Sequence, residues 1–484
     1  MYLVNFYMQK AIRSNYFMQG EQLFQTSLLY RHSFALNITL MKGKLFIITI
    51  AGSILSVLAL KVTAQESTKL LKLNEAIEAA VANNKSIQLA KLDENITQAS
   101  YKQTEAVFLP QAAFSYTAMS TNNPLNAFGF KLQQGIITQN DFNPALLNHP
   151  NTAADFMTKL EVQQPILNLD MLYKRKGAEK QTEVYQYKTQ RAMEYLVFEV
   201  QKAYLQLKLA YDAEKVLDDA LKTAKLMYTY TDNHFNQGLI QKSDLLNAQV
   251  QVKDVESNLN KAQSNVRNAS DYLSLLMGQK AGIIYLINDN WNSANLINDT
   301  TLKVDATRSD FMAMQKAIDA SGLMIKSSQM SYLPKLNAFG NYQYHDSHLT
   351  GFGANAYLVG LTLSWDIFKG NKTKNDIVIQ KLERDKLSQR LAQQKDQSQL
   401  ELDKTQRDLS DAQFEAQQRK MAIEQAAEAL RILQNRYEQG LINTTDVLMA
   451  QTQLLQQKFA LAQARFNIRL TQYYLQLLTS TTHP

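Results

Sequence analysis

The sequence predicts a mostly α-helical chain with a small β part: two long coiled-coil hairpins, duplicated along the chain, plus four short transmembrane β-strands contributed to a barrel that several subunits share. Three observations predict it. Prolines stand only at 110, 124, 144, 150, 165, 334 and 484, so no ring interrupts a helix in 166–333 or 335–483. Apolar residues recur in both spans at alternating steps of three and four, the rhythm of one narrow helix stripe. Ahead of each long helix lie short runs in which apolar and polar side chains alternate, the period of a strand with one wet face.

The front of the chain stands apart from this plan. Residues 1–64 carry six basic residues and a single acid, which accounts for most of the formal net charge of +7. From Met41 two lysines precede an apolar run, Leu45 to Leu60, and then Val62-Thr63-Ala64. That order is a secretory signal over 41–64 with a small-residue cleavage site, and the run is short for a membrane anchor. Residues 1–40 show no clear pattern and read as an early start codon. The chain has no cysteine, which excludes disulfides, thiolate metal sites, a cysteine nucleophile and a cysteine-linked lipid.

The remainder divides into a first repeat at 65–279, a linker or equatorial segment at 280–308 and a second repeat at 309–484. In the first repeat a helix, LNEAIEAAVANNKSIQLAK, opens the unit; Phe108-Leu109-Pro110 ends it and starts a strand. Residues 121–155, with Pro124, Pro144, Pro150 and many asparagines, read as a long extracellular loop. The next strand sets Leu160 and Val162 against Lys159, Glu161 and Gln163. A helix from about 170 to 235 follows, with Val200, Ala203, Leu207, Ala210, Leu217, Leu221, Ala224 and Tyr228 on its stripe, roughly 100 Å long at 1.5 Å per residue. The second repeat restates the plan: a helix after Arg308-Ser309-Asp310, a strand opened by Leu333-Pro334, and a strand with Tyr357, Val359, Leu361, Leu363 and Trp365 on one face. Its long helix carries Leu409, Ala412, Ile423, Leu430, Leu433 and Tyr437 on the stripe.

The hairpin turns give the duplication away. His234–Gly278 and Arg436–Ser480 align without gaps and share 17 of 45 residues. Among the shared residues are Gly238 with Gly440, Leu239 with Leu441 and Asp244 with Asp446. A glycine after a helix supplies the left-handed backbone that ends it. The side chains that follow, Ser243-Asp244 and Thr444-Thr445-Asp446, offer oxygens to the next helix's free amides. Asp244 and Asp446 are therefore caps or dipole partners at least as much as functional groups.

Chemistry-bearing motifs are scarce. His345 and His348 are three apart beside Gly351 and Gly353, which reads as a solvent-exposed connection rather than a metal site. No G-x-S-x-G, H-E-x-x-H or phosphate loop occurs, so neither an enzyme nor a cofactor is indicated. Strands of nine to eleven residues suit a tilted crossing of a bilayer, aromatic residues cluster around them as an interfacial girdle would, and four strands cannot close alone. A soluble half-buried sheet gives the same alternation.

The duplicated order, with QGLI-x3-D-x-L and YEQGLI-x3-D-V-L at the turns, resembles the TolC-like outer-membrane efflux proteins over nearly all of 65–480. The resemblance implies a homotrimer with a shared twelve-stranded barrel in the outer-membrane lipid of a Gram-negative bacterium and a helical tunnel in the periplasm. It implies an exit duct of a tripartite efflux or type I secretion system, working with a periplasmic adaptor and an inner-membrane transporter, and no nucleic acid. It assigns Asp446 to a constriction ring, with Met449 where the best-known member has a second acid. It pairs Tyr437 with Asp244 across the closed tip, with Ile442 replacing the arginine of that latch. The turns Gly238-Leu239 and Gly440-Leu441 would meet the adaptor. The competing reading is a periplasmic coiled-coil adaptor without a pore.

Overall fold

The structure, a computed structural model, describes residues 67–288 and 303–479. The expected leader 1–64, with its signal at 41–64, lies outside the described residues, as does 289–302 of the linker. The first repeat runs β1 (Ser67–Leu70), α1 (Leu73–Asn83), α2 (Lys85–Gln103), β2 (Gln111–Thr121), α3 (Pro124–Gln133), α4 (Pro144–Asn148), β3 (Ala153–Leu167), α5 (Leu169–Asn236) and α6 (Lys242–Leu276). After β4 (Ile283–Leu286) come α7 (Ser309–Met330), β5 (Lys335–Asp346), β6 (Ala354–Ser364), α8 (Lys372–Glu438) and α9 (Thr444–Thr479).

The two long helices have 68 and 67 residues, about 100 Å each at the helical rise. Each is flanked by a shorter helix and by its own return helix: α2 and α6 pack on α5, and α7 and α9 on α8. The repeats also touch, α7 and α9 both packing on α5. The stripes are the contact lines. Val200, Ala203 and Leu207 are almost wholly buried, as are Leu402 on α8, Leu273 on α6 and Leu475 on α9. Fully burying one such leucine stabilises by roughly 1.5–3 kcal/mol, and the seam repeats that contribution along its length.

The opening helix is two helices. Asn84 leaves the helical region, accepts from the Ser86 amide at 2.8 Å to start α2, and donates its side-chain NH2 to the Leu276 carbonyl at 2.8 Å. One asparagine thus caps the start of α2 and the end of α6 where those helices meet. The linker adds β4, which pairs in parallel with β1.

Four strands form one antiparallel sheet in the order β2-β3-β5-β6, with β2 and β6 at open edges. Register sorts the side chains by face. Phe114, Leu160, Tyr342 and Tyr357 lie opposite one another in a row across the sheet. On the other face Ser115, Lys159, Gln343 and Ala356 form the corresponding row. The first face is apolar and exposed, with Phe114, Tyr357, Val359, Leu361 and Leu363 at 69–75% exposure. The second is polar, and there Lys159 pairs with Glu161 at 2.6 Å and Gln163 donates to Glu161 at 2.8 Å. Asp366 lies beyond β6 and pairs with Lys369 at 2.5 Å.

Two expectations are corrected at the far end of the sheet. Residues 121–155 are not an open loop, since α3 and α4 form there, each with proline in its first turn. Asn123 and Asn143 cap them by accepting from the Asn126 and Ala145 amides. Proline loses no helix bond at that position, and its fixed φ suits the helix. Lys131 ties down the segment by pairing with Asp141 at 2.7 Å. Hydrogen bonds from Lys131 and from the Thr138 amide and hydroxyl hold the Asp141 carboxyl down to about 2. His345 is likewise no loop residue: it is the penultimate residue of β5, is 3% exposed, and its Nδ1 lies 2.8 Å from Asp155 Oδ2. Gln134, at the end of α3, donates to Asp155 Oδ1 at 2.9 Å and to the Ala154 carbonyl at 2.7 Å. His348 is exposed, as expected, and bonds only to neighbours in its own connection.

Among the described residues no helix is long and apolar enough to cross a membrane.

Candidate functional site at the hairpin tips

Both hairpins turn by the same device. Gly238 and Gly440 have φ of +74° and +71°, and a Cβ on either would meet nothing within 4 Å, so conformation alone calls for glycine. Leu239 donates its amide to the His234 carbonyl at 2.9 Å and Gly238 to Phe235 at 2.8 Å; Leu441 and Gly440 repeat this on Arg436 and Tyr437. These paired bonds satisfy the carbonyls that a helix end leaves open. The turns leave Leu239 and Leu441 each 67% exposed, so an apolar side chain stands at the extremity of each hairpin.

Behind the turns, Tyr437 is 4% exposed in a cluster with Met227, Leu430 and Val447. Ile442, which takes the place of the expected arginine, packs against the same cluster. The Tyr437 hydroxyl accepts from Thr444 Oγ1 at 3.0 Å and lies 3.3 Å from Thr231 Oγ1 on α5. Thr231 already donates to the Met227 carbonyl at 2.8 Å, so its single proton is used and Tyr437 is the donor to it. This chain of hydroxyls joins the second hairpin to the first.

The expected bond from Tyr437 to Asp244 is not made. Asp244 sits in the first turn of α6 and accepts from the Gln241 amide at 3.3 Å, while the tyrosine ring is turned into the seam. The residue missed in the sequence is Thr231, and Thr444, expected to cap the next helix, turns its hydroxyl to Tyr437. Extending the α5 stripe past Tyr228 by three lands on Thr231, which is the signal that was available. Asp446 is exposed in the first turn of α9, and Met449, one turn on, is 66% exposed. Both aspartates stand where the helix dipole favours an anion.

A second buried polar network lies where α7 begins. Arg308, 4% exposed, grips Asp310 through Nε at 2.7 Å and a terminal nitrogen at 2.8 Å, and reaches Ser398 on α8 at 2.7 Å. Gln394 donates to Asp310 at 2.7 Å. On α5, Glu194 accepts from Ser309, and Arg191 bonds to Glu194 at 3.0 Å and to the Leu477 carbonyl at 3.3 Å. Burial pushes the Asp310 carboxyl up, but the Arg308 hydrogen bonds and charge outweigh it and hold its pKa below the ordinary value. Among the described residues no group of three or more metal-ligating side chains comes together.

Apolar-out strands, hairpins about 100 Å long and paired glycine turns occur twice in one chain. The family model of the outer membrane efflux protein matches residues 76–279 and 303–480. The chain belongs to the outer membrane efflux protein family. Among curated members, the cation efflux system protein CusC of Escherichia coli K12 is 22% identical over 265 residues. That match covers 54% of this chain and 53% of the relative, so the chain spans about half the length of the curated relative it matches. A membrane protein from Pseudomonas aeruginosa superposes with a TM-score of 0.72 at 17% identity, covering 84% of this chain and 93% of the other. The Campylobacter jejuni CmeC outer membrane channel gives 0.70 at 17%, covering 84% and 85%. This efflux-family member therefore shares its fold with solved outer-membrane channels.

Proposed function

We propose that the protein is the outer-membrane channel of a tripartite efflux or type I secretion system, a passive duct whose energy comes from an inner-membrane transporter through a periplasmic adaptor. The observation that carries this reading is the sheet. It is apolar on one face, polar on the other, open at both edges, and continuous with the long helices. A strand of 11 residues spans about 36 Å, and tilted near 45° it covers roughly the hydrocarbon thickness of an outer membrane. A four-stranded sheet has two unpaired edges and cannot close alone, whereas three copies joined edge to edge give twelve strands. Lys159, Glu161 and Gln163 would then face water inside, and the Phe114 row would face lipid.

In that assembly three Asp446 carboxylates ring the periplasmic end and favour cations. Tyr437 holds each second hairpin to the first and Asp244 stiffens the adjoining turn. Gly238-Leu239 and Gly440-Leu441 present the apolar tips to the adaptor. The adaptor reading without a pore leaves the apolar sheet face and both edges unexplained. Purification in detergent with a mass measurement, then planar-bilayer recording, tests the proposal. The expected result is a trimer that conducts; a stable monomer extracted without detergent refutes it.

A further inference from the structure

Where β6 passes into α8, the chain reads Trp365-Asp366-Ile367-Phe368-Lys369-Gly370-Asn371-Lys372-Thr373-Lys374. Trp365, Ile367 and Phe368 are 61%, 81% and 80% exposed, an unusually bare apolar cluster directly after β6. Gly370 and Asn371 both take left-handed backbone, φ +59° and +64°. That double reversal turns the chain so that Lys369, Lys372 and Lys374 line one recess of about 70 Å³ together with Ile367 and Phe368. Lys369 is held by Asp366 at 2.5 Å. Lys372 and Lys374 are exposed and no carboxylate lies in the first turn of α8.

We propose that this corner binds a phospholipid with an anionic headgroup, its phosphate between Lys372 and Lys374 and its acyl chains along Ile367, Phe368 and the β6 face. The inference rests on the reading that the sheet spans a membrane, and it adds a lipid preference to that reading. Three features fit one occupant. Lysine stems lie along apolar surface while their ammonium groups reach headgroup phosphates. The Trp365 indole donates to the Tyr332 carbonyl at 2.9 Å, which fixes an aromatic pair at the level where interfacial girdles sit. A second copy of the chain, joined edge to edge, would bring the start of its β2 here. That region offers Phe108 and Leu109, but its carboxylate, Glu105, is engaged by Arg175 at 3.4 Å. Another protomer can cover the apolar cluster, but the one acid in its Thr104–Leu109 stretch, Glu105, is already paired with Arg175.

The test uses the full chain in bilayers of phosphatidylcholine alone and of phosphatidylcholine with a minority of phosphatidylglycerol, followed by native mass spectrometry of the released protein. The wild type is expected to retain phosphatidylglycerol in preference to phosphatidylcholine. Lys372→Gln with Lys374→Gln is expected to cut that preference about tenfold at physiological salt, and Lys→Arg at both positions to keep it. Phe368→Ser is expected to lower retention of both lipids alike. No preference in the wild type, or a preference that survives the double glutamine variant, overturns the proposal. So does loss of assembly mass in that variant with lipid retention intact, which would make the corner a contact between copies. Failure to enter either bilayer sinks the membrane-spanning reading itself, an outcome separable from equal retention of the two lipids.

Discussion

Replacing Tyr437 with phenylalanine removes one oxygen from a seam position and leaves the ring in place. The hydroxyl takes part in two bonds, as acceptor from Thr444 at 3.0 Å and as donor to Thr231 at 3.3 Å. Thr231 keeps its bond to the Met227 carbonyl, so its loss is small. Thr444 is 2% exposed and loses the acceptor for its proton, which leaves a buried donor unpaired. At about 1 kcal/mol per net bond, more for an orphaned buried donor, the substitution costs about 2 kcal/mol per protomer. Every 1.4 kcal/mol is tenfold, so the tip's closed-to-open ratio is expected to fall about thirtyfold per protomer if the bonds break on opening.

Single-channel recording in planar bilayers gives open probability, and thermal unfolding in detergent gives the stability loss. Tyr437→Phe is expected to raise open probability and Asp244→Asn to change it far less, because Asp244 bonds only to the Gln241 amide of its own turn. A double-mutant cycle with Thr231→Val should show a coupling of about 0.5–1.5 kcal/mol, the sign of a direct bond. The reasoning is refuted if Asp244→Asn opens the channel while Tyr437→Phe leaves it shut, since the latch would then run through the aspartate.

Gly440→Ala should lower the unfolding temperature by the equivalent of about 1–2 kcal/mol, the strain of a left-handed alanine, because its Cβ meets nothing; Gly440→Asn should cost less. Asp446→Ala is expected to reduce cation selectivity in reversal-potential measurements, and unchanged selectivity removes Asp446 from the constriction. Asp310→Asn breaks a buried pair and should cost about 3 kcal/mol in thermal unfolding at neutral pH. The pH profile carries its own sign. A carboxyl whose folded pKa is depressed contributes stability above its unfolded pKa near 4, and that contribution is lost as pH falls through the lower folded value. The wild type should therefore lose more stability than Asp310→Asn on acidification through that window.

The helices were legible because their signal is local. Proline-free spans and a three-and-four rhythm state both length and buried stripe, and Val200, Leu207, Leu409 and Leu430 are buried where the rhythm put them. Strand faces were legible for the same reason, since alternation is read within one segment. What escaped depends on partners far away in the chain. His345 looked like a loop residue because Asp155, which buries it, lies 190 positions earlier. Tyr437 was matched to Asp244 by family pattern, while its actual partner Thr231 is 206 positions away on the facing helix. The helices after Asn123 and Asn143 were missed for a different reason: each proline was read as a breaker, where an asparagine followed by proline also marks a helix start.

Duplication explains the architecture, and the differences between the copies show where the mechanics sit. Phe235 occupies the place of Tyr437 in the aligned turns, so the tyrosine hydroxyl that reaches Thr231 has no counterpart in the first copy. Where α6 ends against α2, one neutral amide of Asn84 makes the joint. Where α9 ends near α7, the joint is ionic: Arg191 holds the Leu477 carbonyl and Glu194, which accepts from Ser309 beside the Arg308–Asp310 pair. The second repeat is thus tied to the first by hydroxyls at the tip, by the packing of α7 and α9 along α5, and at the joint by the bonds from Ser309 to Glu194 and from Arg191 to the Leu477 carbonyl.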